Sequence, residues 1–386
     1  MSRVSEVKTR GLAGTTWCLL AVYLLASVPA HSEQDVAAGA SNRSADIATL
    51  KDTMIVPLNT ANKKTGSRLH WFGFLTESFD NNMLNYSDED RALFDSLPSS
   101  QRFAISSLDD RATSIGARLT FDYGRRKTGL WRLRLKGDAT FFALNSYRRY
   151  TQWGVELRRV VGRSYGELSF GWLPKFNLRN LYWRPMPGRP IGVRYAAADF
   201  SRVTFGLELG TALTSRLDGR INLQLGASNY KYPFDERDNS TVTESARLTY
   251  DLSKRATVYG GFGFAQSRAA GRDSVNALVK DVSYNARLAE VGVRFKCDRR
   301  GRVIASSSLD YQHQDFQSAK PLDLSHYQRV DDDYEFSTSL SWHASENFQP
   351  ELNYSYRTSK SNVTSSAADF GSYSAHRFGL QMTAYF

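Results

Sequence analysis

The stretch Trp131-Arg132-Leu133-Arg134-Leu135-Lys136-Gly137-Asp138-Ala139-Thr140-Phe141 decides the fold. Alternate positions read Trp, Leu, Leu, Gly, Ala, Phe, and those between read Arg, Arg, Lys, Asp, Thr. Wound as a helix, it has no apolar side. Extended, it has one fully apolar and one fully polar face, because successive side chains of a strand point to opposite faces.

The same alternation recurs in both directions. Ile115, Ala117, Leu119, Phe121 and Tyr123 form one apolar row, and Val203, Phe205, Leu207 and Leu209 another. Fourteen candidate strands emerge, near 67–76, 111–123, 129–143, 151–161, 164–174, 201–213, 216–230, 241–252, 255–266, 284–297, 301–315, 333–343, 349–358 and 374–386. Their connections alternate in length. Gly162-Arg163, Thr214-Ser215 and Ser253-Lys254 are short; 175–200, 231–240, 267–283, 316–332 and 359–373 are long. Short turns on one side and long loops on the other predict an all-β, antiparallel up-and-down transmembrane β-barrel. The expected count is about fourteen, within twelve to sixteen. An even count puts both termini on the short-turn, periplasmic side. Apolar rows that run toward that side end at Tyr123, Tyr250, Trp342 and Phe386, which reads as an interfacial girdle.

The start of the chain fits export. Arg3, Lys8 and Arg10 precede an apolar run from Trp17 to Ala26, and Val28-Pro29-Ala30 follows. Residues 1–30 therefore read as a secretory signal peptide. Cys18 lies inside the apolar run, so Cys297 is left alone and no intramolecular disulfide is expected. Residues 31–66 are rich in Ala, Ser, Asn and Asp and read as a flexible periplasmic N-terminal arm; 67–386 reads as the barrel. No later run is long enough for a transmembrane helix. The mean hydropathy of −0.45 does not exclude membrane insertion, because a barrel strand gives every second residue to a polar face. The net charge is +11. The basic residues alternate with apolar ones and no nucleic-acid motif accompanies them, so nucleic acid is not an expected partner.

The last residues carry a resemblance. Phe378, Leu380, Met382, Ala384 and Phe386 alternate up to a C-terminal phenylalanine. This row resembles the terminal strand of the bacterial outer-membrane β-barrel, porin-like superfamily. The resemblance implies a Gram-negative outer membrane, an assembly signal read by the barrel-assembly machinery, and contact with outer-membrane lipid and lipopolysaccharide. The closing hairpin, with Pro350-Glu351-Leu352-Asn353-Tyr354 and then Ser361-Asn362, is similar to the fourteen-stranded barrel of surface lipoprotein assembly modifiers. Members of that family carry an N-terminal helical-repeat domain, for which residues 31–66 are too short.

If the apolar rows face lipid, the alternate rows face the lumen. Arg118, Arg132, Arg134, Lys136 and Arg158 then converge on one wall, against Asp122, Asp138 and Glu156. They form either a selectivity ladder for anions or an internal ion-pair network. On facing alone, Leu133→Arg is expected to be costly and Arg134→Leu milder. The segment 174–194 holds Pro174, Pro185, Pro187 and Pro190, the cations Lys175, Arg179, Arg184 and Arg189, and Tyr182 and Trp183. Its prolines predict a loop. Folded inward it would be a constriction; folded outward it would meet lipopolysaccharide phosphates. Asp331-Asp332-Asp333 reads as a solvated loop end. His313 with Asp315 and His326 with Asp323 fit no nucleophile–His–acid set, so no catalytic residue, metal or cofactor is expected. The expected function is an outer-membrane channel for passive diffusion of small hydrophilic solutes, anions among them. The alternatives are a barrel for protein or glycan export or surface assembly, and an outer-membrane enzyme.

Overall fold

The structure is a computed structural model that describes residues 68–386 apart from 98–101, 104, 126–128, 184–193, 277–278, 299 and 364–370. The segments expected to be a signal peptide and an arm, 1–30 and 31–66, lie outside the described residues. The strands are β1 (Arg68–Asp80), β2 (Asp110–Arg125), β3 (Gly129–Phe142), β4 (Tyr150–Val161), β5 (Ser164–Trp183), β6 (Arg194–Ala212) and β7 (Leu217–Tyr230). They continue as β8 (Asn239–Asp251), β9 (Ala256–Ala269), β10 (Tyr284–Lys296), β11 (Val303–Phe316), β12 (Val330–Trp342), β13 (Phe348–Ser361) and β14 (Tyr373–Tyr385). Each pairs antiparallel with its sequence neighbours, and β1 pairs with β14 to close the barrel. Closure joins the first strand to the last, so the barrel wall has no terminal sheet edge of unpaired backbone groups, which hydrocarbon would not tolerate.

The deciding stretch is β3. Leu133 sits opposite Phe121 on β2 and Leu157 on β4, while Arg134 sits opposite Thr120 and Glu156. Trp131, Leu133, Leu135 and Phe141 are exposed and Arg134 is buried, so the apolar row faces out and the polar row faces in. Tyr123, Tyr250, Trp342 and Phe386 are exposed at the short-turn end. There the Trp71 ring stacks on Phe386 at 4.0 Å. The Phe386 N–H donates to the Trp71 carbonyl at 2.9 Å, which carries the β1–β14 ladder to the last residue. The two-residue turn between β4 and β5 places Gly162 at φ +61°, a conformation that hairpin turns demand and glycine adopts without strain.

Among the described residues, the buried apolar clusters all lie at the long-loop end. One gathers Leu84, Tyr86 and Phe103 beside helix α1 (Asp88–Ser96). The Ser87 hydroxyl caps that helix by accepting from the Asp90 N–H at 3.1 Å.

Two expectations are corrected here. Residues 175–183 and 194–200 are not loop: β5 and β6 run on and pair up to Trp183↔Arg194. The register slips between Leu173 and Phe176 and again between Asn177 and Asn180. Pro174 falls in the first slip, where a bulge asks no ladder bond of it. The second correction is Asp331-Asp332-Asp333, which lies within β12, not in a loop. There Asp331 and Asp333 are buried on one face and Asp332 lies on the other.

Candidate functional site: the lumen wall and its long-loop mouth

The five cations of the β2–β4 wall all point inward, and carboxylates meet them there. Arg132 makes a two-pronged bond to Asp122 at 2.7 and 2.8 Å. Arg134 lies 2.5 Å from Glu156 and 3.1 Å from Glu167. Lys136 reaches Glu156 at 3.3 Å, and Arg158 reaches Glu167 at 2.5 Å and Glu208 at 3.9 Å. Arg118 lies over the Phe72 ring at 5.0 Å, and the Arg158 guanidinium covers Tyr165 at 4.4 Å. The Arg134 and Glu167 side chains are only 4% and 7% exposed. The structure gathers these residues in an ion-pair network, the second of the two arrangements expected of them. The partners missed as neutralising groups are Glu167 and Glu208. Glu167 stands opposite Arg158 across the β4–β5 turn, but its reach to Arg134, and that of Glu208 on β6 to Arg158, follows no local spacing.

The mouth is built by the extended hairpin. β4 accompanies β5 only as far as Trp153↔Trp172, and β6 pairs with β7 only from Phe200 onward. Residues 176–183 and 194–199 thus leave both neighbours. The carbonyls of Asn177 and Leu178, freed from the ladder, accept from the Arg148 guanidinium at 3.0 and 3.3 Å. Leu178, Leu181, Ala198 and Phe200 pack with Tyr230 and Phe234 into a buried cluster. Leu178 also lines a cavity of ≈ 30 Å³ with Tyr230, Gln314, Asp331, Ser359 and Tyr373. Those partners stand on β7, β11, β12, β13 and β14, so the hairpin reaches over the lumen toward the far wall.

The charged residues of the segment take different places. Arg179 is buried and covers the Tyr86 ring at 5.0 Å. Tyr182 receives Lys280 from the β9–β10 loop at 5.7 Å. Lys175 is exposed and pairs with Asp199 at 3.0 Å. The Trp183 side chain, Arg184 and Arg189 lie outside the described residues.

The loops behind the hairpin lash to one another. Lys320 donates to the carbonyls of Gly271 at 2.5 Å and Val279 at 3.2 Å. Buried His326 bonds through Nδ1 to Asp323 at 2.9 Å, and Asp323 also accepts from the Asp281 N–H at 2.8 Å. Arg329 grips Asp331 through two bonds at 2.9 and 2.6 Å. Burial holds the His326 imidazole below its usual range and outweighs the pull of Asp323. Burial pushes the Asp323 carboxyl up, but His326 and the Asp281 N–H outweigh it and keep it below the usual carboxylate range. On the outward face, His313 stands between Asp332 at 2.9 Å and Asp315 at 3.3 Å.

A closed barrel of fourteen antiparallel strands, with an apolar outer belt, aromatic strand ends and a charged interior, is a bacterial outer-membrane β-barrel. A family model described as surface lipoprotein assembly modifier matches residues 179–386, and the chain belongs to that family. Among solved structures it is similar to the outer membrane channel DcaP of Acinetobacter baumannii, at 9% identity and a TM-score of 0.46, covering 84% of this chain and 99% of that one. It is also similar to the anion-selective porin from Comamonas acidovorans, at 9% identity and a TM-score of 0.40, covering 84% of this chain and 100% of that one. No curated protein matches it in sequence.

Proposed function

We propose that this barrel is a gated outer-membrane conduit that serves the surface assembly of lipoproteins, closed at rest by its β5–β6 hairpin. In this reading the short turns and both ends of the barrel chain face the periplasm, and the long loops face out. The carrying observation is the pair of hairpin arms, residues 176–183 and 194–199, detached from both neighbouring strands and resting on a buried apolar cluster beside the lumen. Membership of the surface lipoprotein assembly modifier family supports it. Burying Leu178, Leu181, Phe200 and Phe234 contributes about 1.5–3 kcal/mol each as an upper bound. A mouth held that firmly opens only for a partner that supplies a comparable interaction with the open state.

The test is a strain lacking the chain, its surface labelled with a membrane-impermeant biotin reagent. The expected result is the loss of particular lipidated proteins from the surface while they remain in the total membrane fraction. The second reading is passive diffusion of small anionic solutes. It draws on the gathering of Arg118, Arg132, Arg134, Lys136 and Arg158 on one wall. Unchanged surface lipoproteins with slowed uptake of small anions would favour it.

A further inference from the structure

The two ends of the barrel handle charge differently. At the long-loop end several cations are locked to acids, as in Arg268–Asp273, Arg329–Asp331 and Arg377–Asp80, while others, Lys231 among them, stand exposed. At the short-turn end, five of the six turns present an exposed cation: Arg125, Arg163, Arg216, Lys254 and Arg300. None of the five forms an ion pair among the described residues. The acids beside them are engaged in the turns themselves. Asp298 accepts from the N–H groups of Arg300 and Val303, and Asp251 accepts from the Thr257 hydroxyl.

One cation of this end points outward. Arg159 shares its face of β4 with Trp153, Val155 and Leu157, all exposed in the apolar belt. Its register neighbours are Trp131 on β3 and Gly166 on β5. The guanidinium lies over the Trp131 ring at 5.0 Å and beside Gly129. Both glycines withhold a side chain, so the charge stays open on a flat aromatic shelf. Tyr123 continues the row beyond Trp131. A tryptophan and a tyrosine at the edge of the apolar belt mark the headgroup level of the membrane. A bare cation at that level, turned toward lipid, has phosphate as its natural counter-ion.

We propose that the outer face of β2–β5 at the short-turn end binds an anionic phospholipid. Its headgroup phosphate sits on Arg159, its glycerol backbone rests against the Trp131 ring, and Arg125 flanks it. The ring of turn cations makes the same leaflet rich in anionic lipid around the whole barrel. A polypeptide partner would call for cations gathered on one side. These are spread over five turns of the perimeter and share the level of the aromatic girdle. The inference rests on the seat of the barrel in the membrane and is independent of the export reading.

Native mass spectrometry of the full chain in detergent, with equal phosphatidylglycerol and phosphatidylcholine of the same acyl chains, tests it. Phosphatidylglycerol should be retained in preference, and added salt should weaken that preference. Arg159→Gln should lower its retention about five-fold, the effect of one surface cation. Lys231→Gln, an exposed cation at the long-loop end, should leave it unchanged. If Arg159→Gln assembles poorly, Arg125→Gln, whose register partner Gly129 lies beside the Arg159 guanidinium, serves in its place with a loss in the same direction. Equal retention of the two lipids by the unaltered chain would overturn the proposal, as would full retention by the variants. Displacement of phosphatidylglycerol by a poly-glutamate peptide, with no lipid preference left, would overturn it in favour of an acidic polypeptide.

Discussion

Arg134 and Leu133 are neighbours on opposite faces of β3, and each answers to a different solvent. Leu133→Arg turns a charge toward hydrocarbon, at a cost of about 2–4 kcal/mol near the midplane. Arg134→Leu removes the cation between Glu156 and Glu167 and leaves two nearly buried carboxylates facing each other. Breaking a buried ion pair from one side costs about 3–5 kcal/mol. Urea unfolding of the reconstituted barrel should therefore find Arg134→Leu at least as destabilising as Leu133→Arg. Adding Glu156→Gln to Arg134→Leu should recover part of the loss. A loss below about 0.5 kcal/mol for Arg134→Leu, the level of an ordinary surface change, would show that the network does not brace the wall. Facing alone predicts the milder outcome for Arg134→Leu. Facing is legible because it repeats every second residue. The partner Glu167 stands thirty-three positions further along the chain, beyond any local pattern.

The fourteen strands follow the period-two pattern closely, since each needs only its own alternation and a turn. The hairpin was hidden by the same logic. Pro174 breaks the ladder pattern, so the stretch reads as a loop, while the pairing that continues past it rests on two register slips. Which way the hairpin leans was also illegible, because Leu178 and Leu181 find their apolar partners on β6, β7 and the loop after β7. The loop between β11 and β12 supplies a pH-dependent latch behind it. His326 faces Asp323, with Arg237, Arg329 and Lys280 as the other charges that act on the pair. The packed loop keeps its imidazole neutral, whereas the opened loop takes up a proton as pH falls through about 6.5. Opening therefore binds protons, and the packing weakens as pH falls through that range. The depressed Asp323 acts in the same direction at lower pH, where its opened form protonates first. Hydrogen exchange over residues 318–329, corrected for intrinsic rates, should show less protection at pH 5.5 than at pH 7.5. His326→Gln should flatten that difference. Greater protection at pH 5.5 would contradict the latch.

At the scale of the whole molecule, the barrel is closed around its circumference, and the proposed function has it closed across its mouth as well. The circumference closes last at β14, where Phe386 bonds to Trp71 and stacks on its ring. Deleting Phe386 should lower the yield of heat-modifiable barrel and leave unfolded chain in the periplasm. Normal yields would show that the row Phe378, Leu380, Met382 and Ala384 suffices for assembly. Closure across the mouth is the central claim, and conductance reads it directly. The unaltered chain in a planar bilayer should show little steady current. A variant with residues 176–199 replaced by a short Gly-Ser turn should conduct steadily. A large, steady current from the unaltered chain, equal to that of the shortened variant, would contradict the account.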